Sequence, residues 1–228
     1  MKWNGTDIST KGLVALTQPR IQAPEMEVEV YKIEGSDKTE VVEKGRLPYE
    51  LEVQMMCENP AHLDAALVFL QGSGALISDD VADKYWNAQI IKQVEFERLA
   101  KGPTIRVADV RFFVKDPYRY KVGETDTTLT ASGNVTNAGT VNSLPLIKIT
   151  GDGTVVITIG GRSFTYVFGA EDFVYIDSAI PEAYSASTTD YKNANMTGAF
   201  PYLTPGVNAI SWTGTVTELV ITPRSRFL

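Results

Sequence analysis

In YELEVQMMCE (residues 49–58), Tyr49, Leu51, Val53, Met55 and Cys57 alternate with Glu50, Glu52, Gln54, Met56 and Glu58. A two-residue period turns one face of the segment to a core and the other to water, which is what a strand in a half-buried sheet requires. The period returns in EMEVEV (25–30), where Met26, Val28 and Val30 alternate with Glu25, Glu27 and Glu29. It returns again in TIRVADVRFFVK (104–115), where Val110, Phe112 and Val114 alternate with Asp109, Arg111 and Lys115. A chain patterned this way is expected to be mainly β.

One segment departs from the pattern. In ENPAHLDAALVFLQGSG, Asn59 is placed to cap a helix, Pro60 fits its first position and Gly72 falls just past its end. Leu63, Leu67 and Leu70 follow helical spacing, so a helix is expected over about 60–71. The polar stretch EGSDKTEVVEKGRLP (34–48) reads as an extended arm between two strands. Pro117 has no N–H to give a ladder, so the strand before it is expected to stop there.

Composition changes near Tyr118. Residues 1–118 hold 33 charged residues and nine Ser/Thr, whereas residues 119–228 hold 16 charged residues and 26 Ser/Thr. Two modules, 1–118 and 119–228, are the natural reading, joined near residues 116–122. In the second, LIKITGDGTVVITIGG reads as a hairpin turning at Gly151-Asp152-Gly153. Short strands at SFTYVF, DFVYID, AISWTG and TELVIT, with turn residues between them, predict a sandwich.

The chemistry on offer is sparse. A net charge of −7 disfavours sequence-specific nucleic-acid binding. The opening MKWNGTDISTKG has no apolar core of a secretory signal, so the sequons at Asn4, Asn134 and Asn195 are expected to carry no glycan. No apolar run is long enough to predict membrane insertion. One cysteine and one histidine rule out an internal disulfide and a multi-cysteine zinc site. Cys57 reads as core filler and His62 as a surface helix residue. Glu171, Asp172, Asp177 and Glu182 lack the dense acidic spacing of a sandwich glycosidase. No catalytic residue, metal ligand or cofactor site is therefore predicted. The strand aromatics of the second module read as core, while Tyr184, Tyr191 and Tyr202, in loop-like sequence, are candidate glycan contacts. The Glu25, Glu27 and Glu29 stripe reads as a solvated strand face or, in a ring, a lumen lining.

Taken in order, several motifs resemble those of the distal tail proteins of long-tailed, non-contractile bacteriophages. They are the opening MKWNG, the early strand pair with its arm, the helix and RFFVKDPYRY (111–120). The second module adds NAGTVNSLPLIKITGDGTVVITIGG with Asn137, Gly139 and Pro145, VYID with Asp177, GAFPYLTPGVNAISWTG with Pro201, Leu203, Gly206 and Asn208, and ELVITPRSRFL. The resemblance implies a β-sandwich-like ring domain with one helix and an arm. A galectin-like or carbohydrate-binding-module-like sandwich would follow it. It also implies a homo-hexamer, single or as two stacked rings, at the virion tail tip, made in the bacterial host cytoplasm. Its partners would be the tail tube protein, a tail-associated tip protein and receptor-binding components. On this reading Asp116, Pro117 and Tyr118 form a structural joint, and Glu25, Glu27 and Glu29 face the lumen. The alternative is a carbohydrate-binding module that recognises host glycans through the second module.

Overall fold

The computed structural model describes residues 1–99 and 104–228. The chain divides into two units, Met1–Val122 with Leu228, and Gly123–Phe227.

The first unit contains β1 (Lys2–Trp3), β2 (Thr6–Asp7), β3 (Leu13–Ala15), β4 (Met26–Lys32), β5 (Thr39–Arg46), β6 (Tyr49–Cys57), α1 (Leu63–Phe69), β7 (Gly72–Ile77), β8 (Lys84–Ile90), β9 (Glu97–Arg98) and β10 (Arg106–Lys121). Its main sheet runs β2-β1-β7-β8-β10-β6-β3, with β9 also paired to β10. The alternating residues behave as their period requires. Leu51, Val53, Met55 and Cys57 of β6 are buried, as are Val110, Phe112 and Val114 of β10. They meet Trp3, Leu13, Leu76 and Trp86 in one core, where the Trp3 and Phe112 rings pack edge to face at 5.1 Å. The indole N–H of buried Trp86 donates to the Tyr49 hydroxyl at 3.0 Å, so the core carries no orphaned donor there. The Asn59 side chain accepts from the Ala61 N–H at 3.0 Å, and a short 3-10 turn, Pro60–His62, leads into α1. Ala66 and Leu70 seat that helix on the core.

The second unit contains β11 (Thr127–Leu129), β12 (Gly133–Asn137), β13 (Leu146–Ile159), β14 (Arg162–Val167), β15 (Phe173–Asp177), β16 (Glu182–Tyr184), β17 (Met196–Thr197), β18 (Gly206–Thr222) and β19 (Arg226–Phe227). β13 and β18 run side by side through the middle. The first half of β13 pairs with β15 and its second half with β14, so the sheet curls into a sandwich over one core. That core is built from inward positions such as Ile147, Ile149, Ile157, Val174, Ile176, Leu219 and Ile221.

Three local readings are corrected. Gly151-Asp152-Gly153 is not a hairpin turn, because β13 continues through it. The register with β18 shifts between Thr150 and Gly151 and again between Asp152 and Val156, so the positive φ of Gly153 (67°) serves a bulge that bends the strand. AISWTG and TELVIT likewise belong to a single strand, β18, with Gly214 (φ 90°) in the matching bend. Third, β10 does not stop at Pro117 but continues to Lys121. Its ladder with β6 ends at Val114, and its register with β8 jumps from Val114 to Arg119, so the proline lies outside both of those ladders.

Candidate assembly surface

The 34–48 stretch is more ordered than an arm of loop. β4 and β5 form a two-stranded sheet that pairs with no other strand among the described residues. Cross-strand partners share a face, and Val28 opposes Glu43, Val30 opposes Val41 and Lys32 opposes Thr39. On the other face Glu29 opposes Val42 and Tyr31 opposes Glu40. Glu27 and Glu29 therefore lie together on the face away from Val28 and Val30, while Glu25 precedes the strand and its backbone carbonyl accepts from the Leu47 N–H at its base. The Lys44 ammonium, 2.7 Å from Glu29, and the Tyr31 hydroxyl hold the Glu29 carboxyl below its usual range. None of these side chains joins either core.

The Asp116-Pro117-Tyr118 stretch is strand, and its neighbours anchor it inside the first unit. The Tyr120 hydroxyl donates to Asp116, the Tyr120 ring stacks on Tyr85 at 5.7 Å, and the Arg119 guanidinium lies over Trp86 at 6.0 Å.

The glycan candidates differ in exposure and in what covers them. Tyr184 is buried and stacks on Tyr175 at 5.3 Å, and burial raises its phenol pKa. Tyr191 is bridged to Tyr184 and is 59% exposed, whereas the Tyr202 ring is covered by the Arg162 guanidinium at 3.9 Å. The carboxylates of the same unit have structural partners. Asp177 takes two bonds from Arg224, at 2.6 and 3.0 Å, and one from the Ala179 N–H at 2.9 Å. Glu171 accepts the hydroxyl of Tyr166 at 2.6 Å and the Gly169 N–H at 3.2 Å. Cys57 is buried, with its thiol against the Asn59 carbonyl, and His62 lies exposed before α1. Among the described residues no three His, Cys, Asp or Glu side chains are grouped to hold a metal ion, and no helix is long and apolar enough to cross a membrane.

Seven of the 26 Ser and Thr residues of the second unit share one face. Opposite the core, β12, β18, β13 and β14 present Asn134, Thr136, Ala209, Ser211, Thr213, Thr154, Val156, Thr158, Ser163, Thr165 and Val167. None of these positions is charged.

No protein-family model matches the sequence, and no curated protein matches it either. Solved structures do match. The crystal structure of the SPP1 Dit (gp 19.1) protein superposes with a TM-score of 0.74 at 16% identity, over 99% of this chain and 98% of that one. The chain has the Dit fold. SPP1 Dit is described as a paradigm of the hub adsorption apparatus in phages infecting Gram-positive bacteria. Two structures of the activated phage p2 baseplate, with Sr and with Ca, each align over 94% of this chain at 8% identity, with TM-scores of 0.43 and 0.45. The Dit fold explains why sequence order carried more than sequence identity. It is a succession of bent strands and turns, and many side chains satisfy it.

Proposed function

We propose that this chain is a structural hub protein of a phage tail tip, in which the first unit closes a six-membered ring between the tail tube and the adsorption apparatus. The observation that carries the reading is the Dit fold, matched end to end and not over one unit alone. Fold by itself does not assign a function. The β4–β5 hairpin adds a physical reason, since a two-stranded ribbon outside any core is marginal in water and gains stability from a second surface. A closed ring requires interfaces between unlike patches of one chain, and a projecting ribbon suits that geometry.

In such a ring, Glu25, Glu27 and Glu29 would face the lumen and repel the phosphate backbone of passing DNA. Asp116, Pro117 and Tyr118 would brace the last strand of the first unit, which leads to the second unit at Gly123. Light scattering of the purified protein at two concentrations tests the ring. The expected species is six, or for stacked rings twelve, times 25.0 kDa, and a 25.0 kDa particle at both concentrations counts against it. Virions carrying Glu25→Lys, Glu27→Lys and Glu29→Lys together should eject DNA more slowly, and normal ejection rules out the lumen assignment.

A further inference from the structure

The face that β12, β18, β13 and β14 turn away from the core extends onto β17, where Thr197 opposes Thr165. Register ties it together row by row. Ser211, Thr158 and Ser163 form one row, and Thr213, Val156, Thr165 and Thr197 form the next. The chain leaves this face open to water: Asn134, Ser211, Thr213 and Ser163 are exposed, and Val207 is 68% exposed. Across β12, β14, β17 and residues 154–159 and 206–217, the one charged residue is Arg162. Its guanidinium lies over the Tyr202 ring.

Charged side chains on exposed strands keep copies of a protein apart, and this face has none to do so. It offers no charge to a charged partner and no aromatic ring on which a sugar could stack. It does suit itself. About a two-fold axis each residue meets its own patch, so a charge would meet its like, and here there is no such cost. Small side chains let two sheets of the same twist pack about 10 Å apart. Thr158 Oγ1 and Ser163 Oγ, 2.8 Å apart, already bond to each other, so less is lost when they leave water. Strands about 4.8 Å apart with a rise of about 3.3 Å per residue make this a plate of roughly 20 by 20 Å. Two facing plates remove on the order of 1,000 Å2 from water, the size at which a specific pairing becomes stable.

We infer that this face is a self-contact, packed against the same face of a second copy about a two-fold axis near Thr158, in the middle of the plate. Contacts within a cyclic ring join unlike patches, so this one is not the ring's own. It joins ring to ring where rings form and chain to chain where they do not, and so stands apart from the ring reading.

Light scattering of the full chain at two concentrations tests it as a doubling of mass. The wild type should give twelve times 25.0 kDa with the ring, or twice 25.0 kDa without it. Thr158→Lys and Ser211→Lys each set like charges across the axis, and should weaken the pairing roughly tenfold or more and halve the mass. Thr128→Lys adds the same charge on β11, off this face, and should leave the mass unchanged. Neither Thr158 nor Ser211 belongs to the core, so circular dichroism should be unaltered. Thr158→Lys mixed with Thr158→Glu should restore the doubled species, a rescue that misfolded chains could not give. A wild type of six copies or of one overturns the contact, and six leaves the ring standing. A doubled mass that survives Thr158→Lys and Ser211→Lys places the pairing on another surface and overturns this one. A mass of twice 25.0 kDa, halved by both variants, upholds the contact while counting against the ring.

Discussion

Tyr166 donates its hydroxyl to Glu171 at 2.6 Å, with its ring fully buried between the layers of the second unit. The same carboxylate accepts from the Gly169 N–H and from Asn195, so one side chain ties the turn after β14 to the 3-10 turn Asn193–Asn195. Burial alone would raise the Glu171 pKa, but the bonds from Tyr166 and from the backbone outweigh it and the net shift is downward. A lowered carboxylate pKa contributes stability above the ordinary value of 4.5, and that contribution fades as pH falls through the folded-state value. Tyr166→Phe should therefore destabilise the second unit by ~1.5–3 kcal/mol at pH 7, the range for a hydrogen bond to a charged group. Urea melts should find a smaller difference at pH 3, and an equal cost at both pH values would show that Glu171 is not the relevant acceptor.

The bends in β13 and β18 make a second prediction. A Cβ on Gly151 would sit 2.3 Å from the Thr215 carbonyl oxygen, and one on Gly214 would sit 2.3 Å from that of Thr154. Both neighbours are backbone and cannot swing aside. Gly153, also at positive φ, has open space around it. Gly151→Ala and Gly214→Ala should each cost more than Gly153→Ala, whose penalty is the ~1–2 kcal/mol of left-handed backbone. Thermal melts of the three variants check the order.

These glycines also mark where the sequence was legible and where it was not. The strand Tyr49–Cys57 could be read from its alternation because burial alone decides its faces. The start of the helix could be read because Asn59 and Pro60 act on their own neighbours. Gly151-Asp152-Gly153 could not, since a local GDG suits a turn or a bulge equally. What decides is the partner strand, which lies some 60 residues away. The two faces of β4–β5 share this property. Val41 lies in a Lys- and Glu-rich stretch that reads as loop, and only pairing with Val30 reveals a patch. The partners of Glu171 and Asp177 were illegible for the same reason, because Asn195 and Arg224 reach them only through the fold.

Pro117 supplies a third prediction. It occupies the interval of β10 that is out of ladder with β6 and β8, so it forfeits no bond to either of those strands and does not end β10. Pro117→Ala should change stability by less than ~1 kcal/mol, the scale of a compatible proline site. A Val114→Pro variant, placed where both ladders still hold, should prevent folding of the first unit. If Pro117→Ala proves as damaging as Val114→Pro, the gap in the ladder is not what accommodates the ring.

The last prediction concerns Asp177 and Arg224. Asp177 is 5% exposed and directly opposes Glu182 across β15 and β16, an arrangement that like charges make unfavourable. Arg224 resolves it with a two-pronged grip at 2.6 and 3.0 Å, holding the 224 segment against the end of β15. Removing the guanidinium strands a buried carboxylate beside a second one, whereas removing both charges leaves a neutral site that packing can fill. Arg224→Met alone should therefore cost about 3–5 kcal/mol, and Arg224→Met with Asp177→Asn should cost less than the single variant. Chemical denaturation of the four members of the double-mutant cycle measures the coupling between them. Additive costs would mean that Arg224 acts through packing, and a double variant more stable than Arg224→Met assigns the effect to the stranded charge.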